Sequence, residues 1–180
     1  MDHETAVVAE SAMSAGLAVF AIVLLVYAAL HDLAVRTIPN WLPLLLLVVG
    51  VCARLLDHSL MAGMLAAAVV FVLLFGLWLG GGMGGGDVKL WAASVLLVPP
   101  VWRSELFFFL HVVMFGGMLA ILYLLLSFFV RRPRASRGGG YLRRFWRVEL
   151  WRIGRRRALP YACAIAAGTI AALLPNAFQT

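Results

Sequence analysis

The sequence predicts an all-α, polytopic integral membrane protein. Of its 180 residues, 64% are hydrophobic and only 13% are charged, and the mean hydropathy is +0.98. A soluble domain is roughly 45–50% apolar and about 25% charged. The composition therefore indicates a helix bundle in lipid, and the length suggests a single domain over residues 1–180.

The apolar segments predict about six transmembrane helices. A membrane-spanning helix needs about 20 mostly apolar residues, although shorter ones occur. We expect spans at residues 15–30, 41–55, 60–79, 88–102, 106–130 and 159–174. Pro39 is expected in the first turn of the second helix, where its missing N–H costs nothing. The fourth segment is short and contains Pro99 and Pro100.

The basic residues predict the orientation of the chain. Eleven of the fifteen Lys and Arg lie between Arg131 and Arg157. Basic loops beside membrane spans are usually cytoplasmic. Counting spans back from this basic loop places residues 32–40 and 80–89 on the same, cytoplasmic side. The chain is therefore predicted to cross its membrane several times.

The basic loop also bears on partners. At helical spacing, residues 141–153 separate most apolar from most basic side chains, which suits a helix lying on anionic lipid headgroups. The alternative is an ordinary loop with stop-transfer charges, and the sequence leaves both open. Nucleic acid is not an expected partner. The two cysteines lack the CxxC spacing of a zinc site.

Two carboxylates next to apolar segments are candidates for chemistry. Asp32 follows the first span, and Asp87 ends the glycine-rich run 80–86. Each has a structural alternative, because Asp32 is suited to capping a turn and Asp87 to capping a helix. If the two lie within a few ångströms, repulsion and burial raise the pKa of one, and the pair shares a proton. Such a pair activates water without a cofactor or metal.

The residues around the two aspartates resemble a known family. Asp32 followed by Ile38-Pro39-Asn40, together with the segment 84–90 (Gly-Gly-Gly-Asp-Val-Lys-Leu), is similar to the two motifs of bacterial prepilin peptidases, GxGD-type membrane aspartyl proteases. Residues 159–168 resemble that family's last span. The resemblance implies an endopeptidase that removes a short basic leader from prepilin or pseudopilin precursors at the cytoplasmic face, for pilus or type II secretion-like assembly.

The resemblance also implies roles for individual residues. Asp32 and Asp87 match the catalytic dyad. Gly84 and Gly86 fill the motif glycines, which let a substrate backbone lie against the loop. Pro39 and Asn40 shape the first catalytic turn. Lys89 matches the motif lysine, for which a substrate contact and a lipid-headgroup contact remain equal alternatives.

The sequence also departs from the larger members of the family. It contains no cytoplasmic segment with paired CxxC zinc ligands, and so resembles the short form that serves Flp/Tad-type pili. Methyltransferase activity is not expected. The alternative from another class is a membrane subunit or small transporter with proton-coupled carboxylates, which would place charges mid-span. Whether the chain forms homo-oligomers is left open.

Overall fold

The computed structural model describes residues 3–129 and 159–177, and within these ranges every regular element is a helix. The predicted fold class, an all-α membrane protein, is confirmed. Among the described residues, three helices contain segments long and apolar enough to cross a bilayer, Val7–Val35, Leu60–Leu79 and Trp102–Phe128. The helices of this part of the chain are α1 (His3–Val35), α2 (Trp41–Leu56), α3 (Leu60–Leu79), α4 (Gly85–Val95), α5 (Trp102–Phe129) and α6 (Tyr161–Ala177).

The helix α1 extends beyond the expected segment 15–30 at both ends, whereas α4 is shorter than the segment expected at 88–102. Helix α4 has 11 residues, a rise of about 16 Å at 1.5 Å per residue. That length is roughly half of a bilayer's hydrocarbon core. The chain turns at Leu96 and Leu97, and Pro99 and Pro100 follow without backbone N–H groups to continue a helix.

Although short, α4 occupies the centre of the bundle. Every residue from Val88 to Val98 is buried except Lys89. The helix packs against α2, α3 and α6, while α1 packs against α2 and α6, and α5 packs against α6. The long helices α1, α3 and α5 expose large apolar side chains, as lipid-facing helices do. The core therefore forms around α4, and the outer surface is apolar.

Glycines bring two helix pairs into close contact. A Cβ on Gly168 of α6 would lie 2.5 Å from Val112 Cγ2 and 2.7 Å from the Val112 backbone nitrogen in α5. A Cβ on Gly50 of α2 would lie 2.5 Å from Leu96 Cβ, just beyond α4. Small residues permit this approach between membrane helices.

The proline placement differs from the sequence expectation. Pro39 precedes α2 rather than lying in its first turn, and Pro43 takes a position inside that turn. The N–H of Leu42 donates to the Pro39 carbonyl at 3.1 Å, so Pro39 belongs to the turn that leads into the helix. The predicted basic loop 131–157, with its amphipathic segment 141–153, lies outside the described residues.

Candidate active site

The site begins with Asp32 near the end of α1. Asp32 is only 6% exposed. One turn later the helix stops, because Arg36 adopts a positive φ of 62° and its N–H donates to the Asp32 carbonyl at 2.8 Å. A left-handed residue after the last turn is a common helix terminator. Asp32 is therefore held on the last turn of a long helix, with its side chain turned into the protein.

The carboxylate of Asp32 meets the beginning of α6. The backbone N–H of Ala162, in the first turn of that helix, donates to Asp32 Oδ2 at 3.3 Å. First-turn N–H groups have no partner within their own helix, and the helix dipole favours negative charge there. Sequence reasoning did not identify Ala162. The only signal was Pro160, which suits the boundary of a helix.

Asp87 is the third residue of α4, and Gly84 is the residue that caps this helix. The Asp87 carboxylate accepts a hydrogen bond from the Gly84 N–H, as the acidic side chain of a capping box does. A Cβ on Gly84 would lie 2.7 Å from Asp87 Oδ2. Gly84 has an extended backbone with φ −74°, a conformation that other residues also adopt. Glycine is needed here because a side chain would collide with the Asp87 carboxylate.

The structure couples the two aspartates electrostatically. Burial, and next the charge of Asp32, raise the pKa of Asp87 to about 7, while the Gly84 hydrogen bond opposes the rise. Residues from α1 and from α4, distant in sequence, therefore meet at one place. The aspartate pair, Asp32 and Asp87, has the property of an acid–base couple, because one member holds a proton near neutral pH.

The segment between α1 and α2 packs over the start of α4. A Cβ on Gly86 would lie 3.0 Å from the Cβ of Ile38, next to Pro39. His31 Nδ1 lies 2.7 Å from the Thr37 carbonyl oxygen, and since a carbonyl only accepts, Nδ1 carries the proton. At Gly84 and Gly86 alike, the atoms nearest the missing side chain belong to the protein's own turn and carboxylate.

Asn40 and Lys89 form a second connection between the same elements. The ammonium group of Lys89 donates to Asn40 Oδ1 at 3.0 Å, and both residues are exposed. The bond ties the residue before α2 to the second turn of α4. All seven residues that the sequence singled out thus lie in the turn before α2 or at the facing ends of α1 and α4.

The described residues contain no group of three or more His, Cys, Asp or Glu side chains arranged to hold a metal ion. The polar groups at the site include the aspartate pair, the amides of Gly84 and Ala162, and the Asn40–Lys89 bond.

The described helices form an all-α membrane bundle that contains two electrostatically coupled aspartates, a pair suited to acid–base chemistry. Residues 19–131 match the model of the type IV leader peptidase family. This range is more than half of the chain and includes both aspartates. The chain belongs to the type IV leader peptidase family, and it is a peptidase.

The family match confirms the resemblance to prepilin peptidases. Comparison with curated proteins and with solved structures gives no match. The matched range ends before α6, so the helix that supplies the Ala162 amide to Asp32 lies outside it.

Proposed function

We propose that this peptidase is an aspartic endopeptidase that removes the short basic leader of prepilin or pseudopilin precursors. Cleavage takes place at the cytoplasmic face of the bacterial inner membrane, in the service of pilus or type II secretion-like assembly. The observation that carries the proposal is the coupling of Asp32 to Asp87, whose pKa it helps to raise to about 7. The family match supports the substrate class.

The two carboxylates take different roles in this mechanism. Asp32, which accepts the Ala162 amide, acts as the base, and Asp87, whose pKa is raised to about 7, acts as the acid. Asp32 removes a proton from water as the water oxygen attacks the scissile carbonyl carbon, and Asp87 gives its proton to the carbonyl oxygen. Asp32 then protonates the leaving nitrogen, the C–N bond breaks, and a hydroxyl proton of the diol returns to Asp87.

The remaining site residues position the chain for this reaction. Gly86 lets the turn with Ile38 and Pro39 lie against α4, and the Asn40–Lys89 bond fixes the same turn from the other side. The basic loop 131–157 is proposed to lie on anionic headgroups at the same face. A proton-coupled transporter has no support from the family match, which indicates a peptidase.

The test is cleavage of a co-expressed prepilin by the wild type, Asp32→Asn and Asp87→Asn. Each substitution keeps the size of the side chain and removes its acid–base function. We expect each to reduce the processed fraction by at least about a thousandfold, since dyad residues act as a unit. The readout is the shift of the pilin band on a gel, normalised to the amount of peptidase in the membrane.

Glu10→Gln is the matched control, because Glu10 is an exposed carboxylate nearer the other end of the same helix as Asp32. It should process the prepilin like the wild type. Substantial cleavage by either aspartate variant would refute the two-carboxylate mechanism. Failure of the wild type to cut any of a panel of prepilins would refute the substrate class.

A further inference from the structure

A groove runs between α2, α3 and α4 on the side of α4 away from Asp87. It encloses about 430 Å³. Its floor is buried and includes Ala93 and Leu96, and its edges are exposed, with Leu44 at 63%, Met64 at 42% and Phe71 at 40%. We call this feature the α2–α4 groove.

The composition of the groove suits a helix as its occupant. Ala67 and Ala68 of α3 and Ala92 and Ala93 of α4 contribute to its lining. Small residues at such positions let the backbone of a neighbouring membrane helix approach closely, and close packing is what drives helix association in lipid.

One end of the groove is polar and adjoins the active site. Among its lining residues only Asn40 and Lys89 are polar, and they bond to each other. Lys89, Ala92, Ala93 and Leu96 follow the i, i+3, i+4, i+7 spacing of a single helix face. The groove therefore starts at Lys89, two residues after Asp87, and continues along α4 away from the aspartate pair.

We infer that the α2–α4 groove binds the apolar helix of the precursor, on the carboxyl side of the bond that is cut. The inference rests on the proposed function. The charge of Lys89 at the mouth repels a basic leader, so the leader lies elsewhere and the apolar helix enters the groove. Because Asp87 faces away from the groove, a short extended segment crosses the amino end of α4, past the glycines 84–86, and joins the helix to the scissile bond.

The cleavage activity of a variant whose groove is filled by a larger side chain tests this inference. Ala68→Leu adds bulk at an exposed position in the groove, and Ala62→Leu adds the same bulk at an exposed position on the opposite side of α3. We expect Ala68→Leu to lower cleavage of a full-length prepilin by about tenfold or more. Ala62→Leu should not. Both variants should cut a short peptide that spans the cleavage site but lacks the apolar helix as the wild type does.

Crosslinking tests the same inference without activity. The background for this test is the Asp87→Asn variant, which should be inactive, with Cys52→Ser and Cys163→Ser. In it, the Met64→Cys substitution should form disulfides with cysteines placed on one face of the prepilin helix. A cysteine at Leu73, 66% exposed on the opposite face of α3, should form none.

The outcomes separate the two proposals. Equal crosslinking from both positions would overturn the groove assignment. Full cleavage by Ala68→Leu would also overturn it. In each of these cases the loss of activity in Asp87→Asn still supports the peptidase mechanism.

Discussion

Asp87 combines structural and chemical roles in one side chain. Its carboxylate caps α4 through the Gly84 amide and is also coupled to Asp32. The cap holds the carboxylate in place, while burial keeps it protonated near neutral pH. The capping alternative and the proposed catalytic role are therefore compatible in one residue, because the cap fixes the position of the carboxylate.

The raised pKa predicts how stability depends on pH. The native pKa of Asp87 is about 7 against 3.8 for an unperturbed aspartate, so between these values the native state binds the proton and the unfolded state does not. The free energy of unfolding therefore falls as pH rises through this range, by at most about 4 kcal/mol at 1.36 kcal/mol per pH unit.

Asp87→Asn removes this titration and keeps an acceptor for the Gly84 amide. Thermal unfolding in detergent should show the variant more stable than the wild type at pH 8 and similar to it at pH 4. Glu10→Gln should have the same stability as the wild type at both pH values. A constant difference between Asp87→Asn and the wild type across this range would show that Asp87 does not titrate near 7.

At the residue scale, sequence motifs located the aspartate pair and its neighbours but not their hydrogen bonds. The spacing of Asp32, Pro39 and Asn40 and the run before Asp87 sufficed to name the candidates. The contribution of Ala162 could not be predicted from the sequence, because it is a backbone amide and any residue type except proline supplies one. Tertiary packing alone brings that amide to Asp32.

At the scale of elements, α6 acts on the site through its first turn. Ala162→Pro removes the N–H that Asp32 accepts, and proline is tolerated in a first turn. Because a hydrogen bond to a charged group is worth about 1.5–3 kcal/mol, we expect prepilin cleavage to fall by about tenfold or more.

Ala162→Gly is the control for this prediction, since it keeps the N–H and should retain most activity. If the proline variant instead lost its thermal stability together with its activity, the effect would be structural. The assignment of Asp32 as the base would then lose its main support.

The contact of α5 with α6 makes a separate prediction about stability. Gly168→Ala places a methyl group against the Val112 backbone, which forces the helices apart at a cost of about 1–3 kcal/mol. Gly117→Ala on α5 has no atom within 4 Å of the added group and should be neutral. Thermal denaturation of both variants in detergent measures the difference in their stability. Equal stabilities would contradict the close contact.

Helix positions were predictable where apolar runs ended in polar turns. The bounds of α2 and α3 agree closely with the sequence expectation because charged or glycine-rich turns flank them. The bounds of the fourth helix were not predictable. Hydropathy does not distinguish an apolar segment that faces lipid from one that is buried in protein. Helix α4 is apolar because protein surrounds it, and its prolines end it early.

At the scale of the whole molecule, the aspartate pair joins two groups of helices. Asp32 belongs to the group α1, α5 and α6, and Asp87 belongs to the group α2, α3 and α4. These groups meet through the packing of α1 on α2 and of α4 on α6. The active site therefore depends on the correct docking of both groups.

The predicted orientation is tested by labelling at the two ends of α3. In a cysteine-free background, Gly82→Cys should react with a membrane-impermeant maleimide only after cells are permeabilised. Met61→Cys, 86% exposed at the start of α3, should react in intact spheroplasts. The reverse pattern would place the aspartate pair on the outer face and exclude cleavage of cytoplasmic leaders.

The amide of Ala162 also sets an order of events during synthesis. The ribosome makes both aspartates early, within the first 87 residues, but their amide donor emerges only after the basic loop has been translated. A nascent chain that has already inserted α1 and α4 still lacks the amide that donates to Asp32. The hydrogen bonding of the aspartate pair is thus complete only when the last helix is in place.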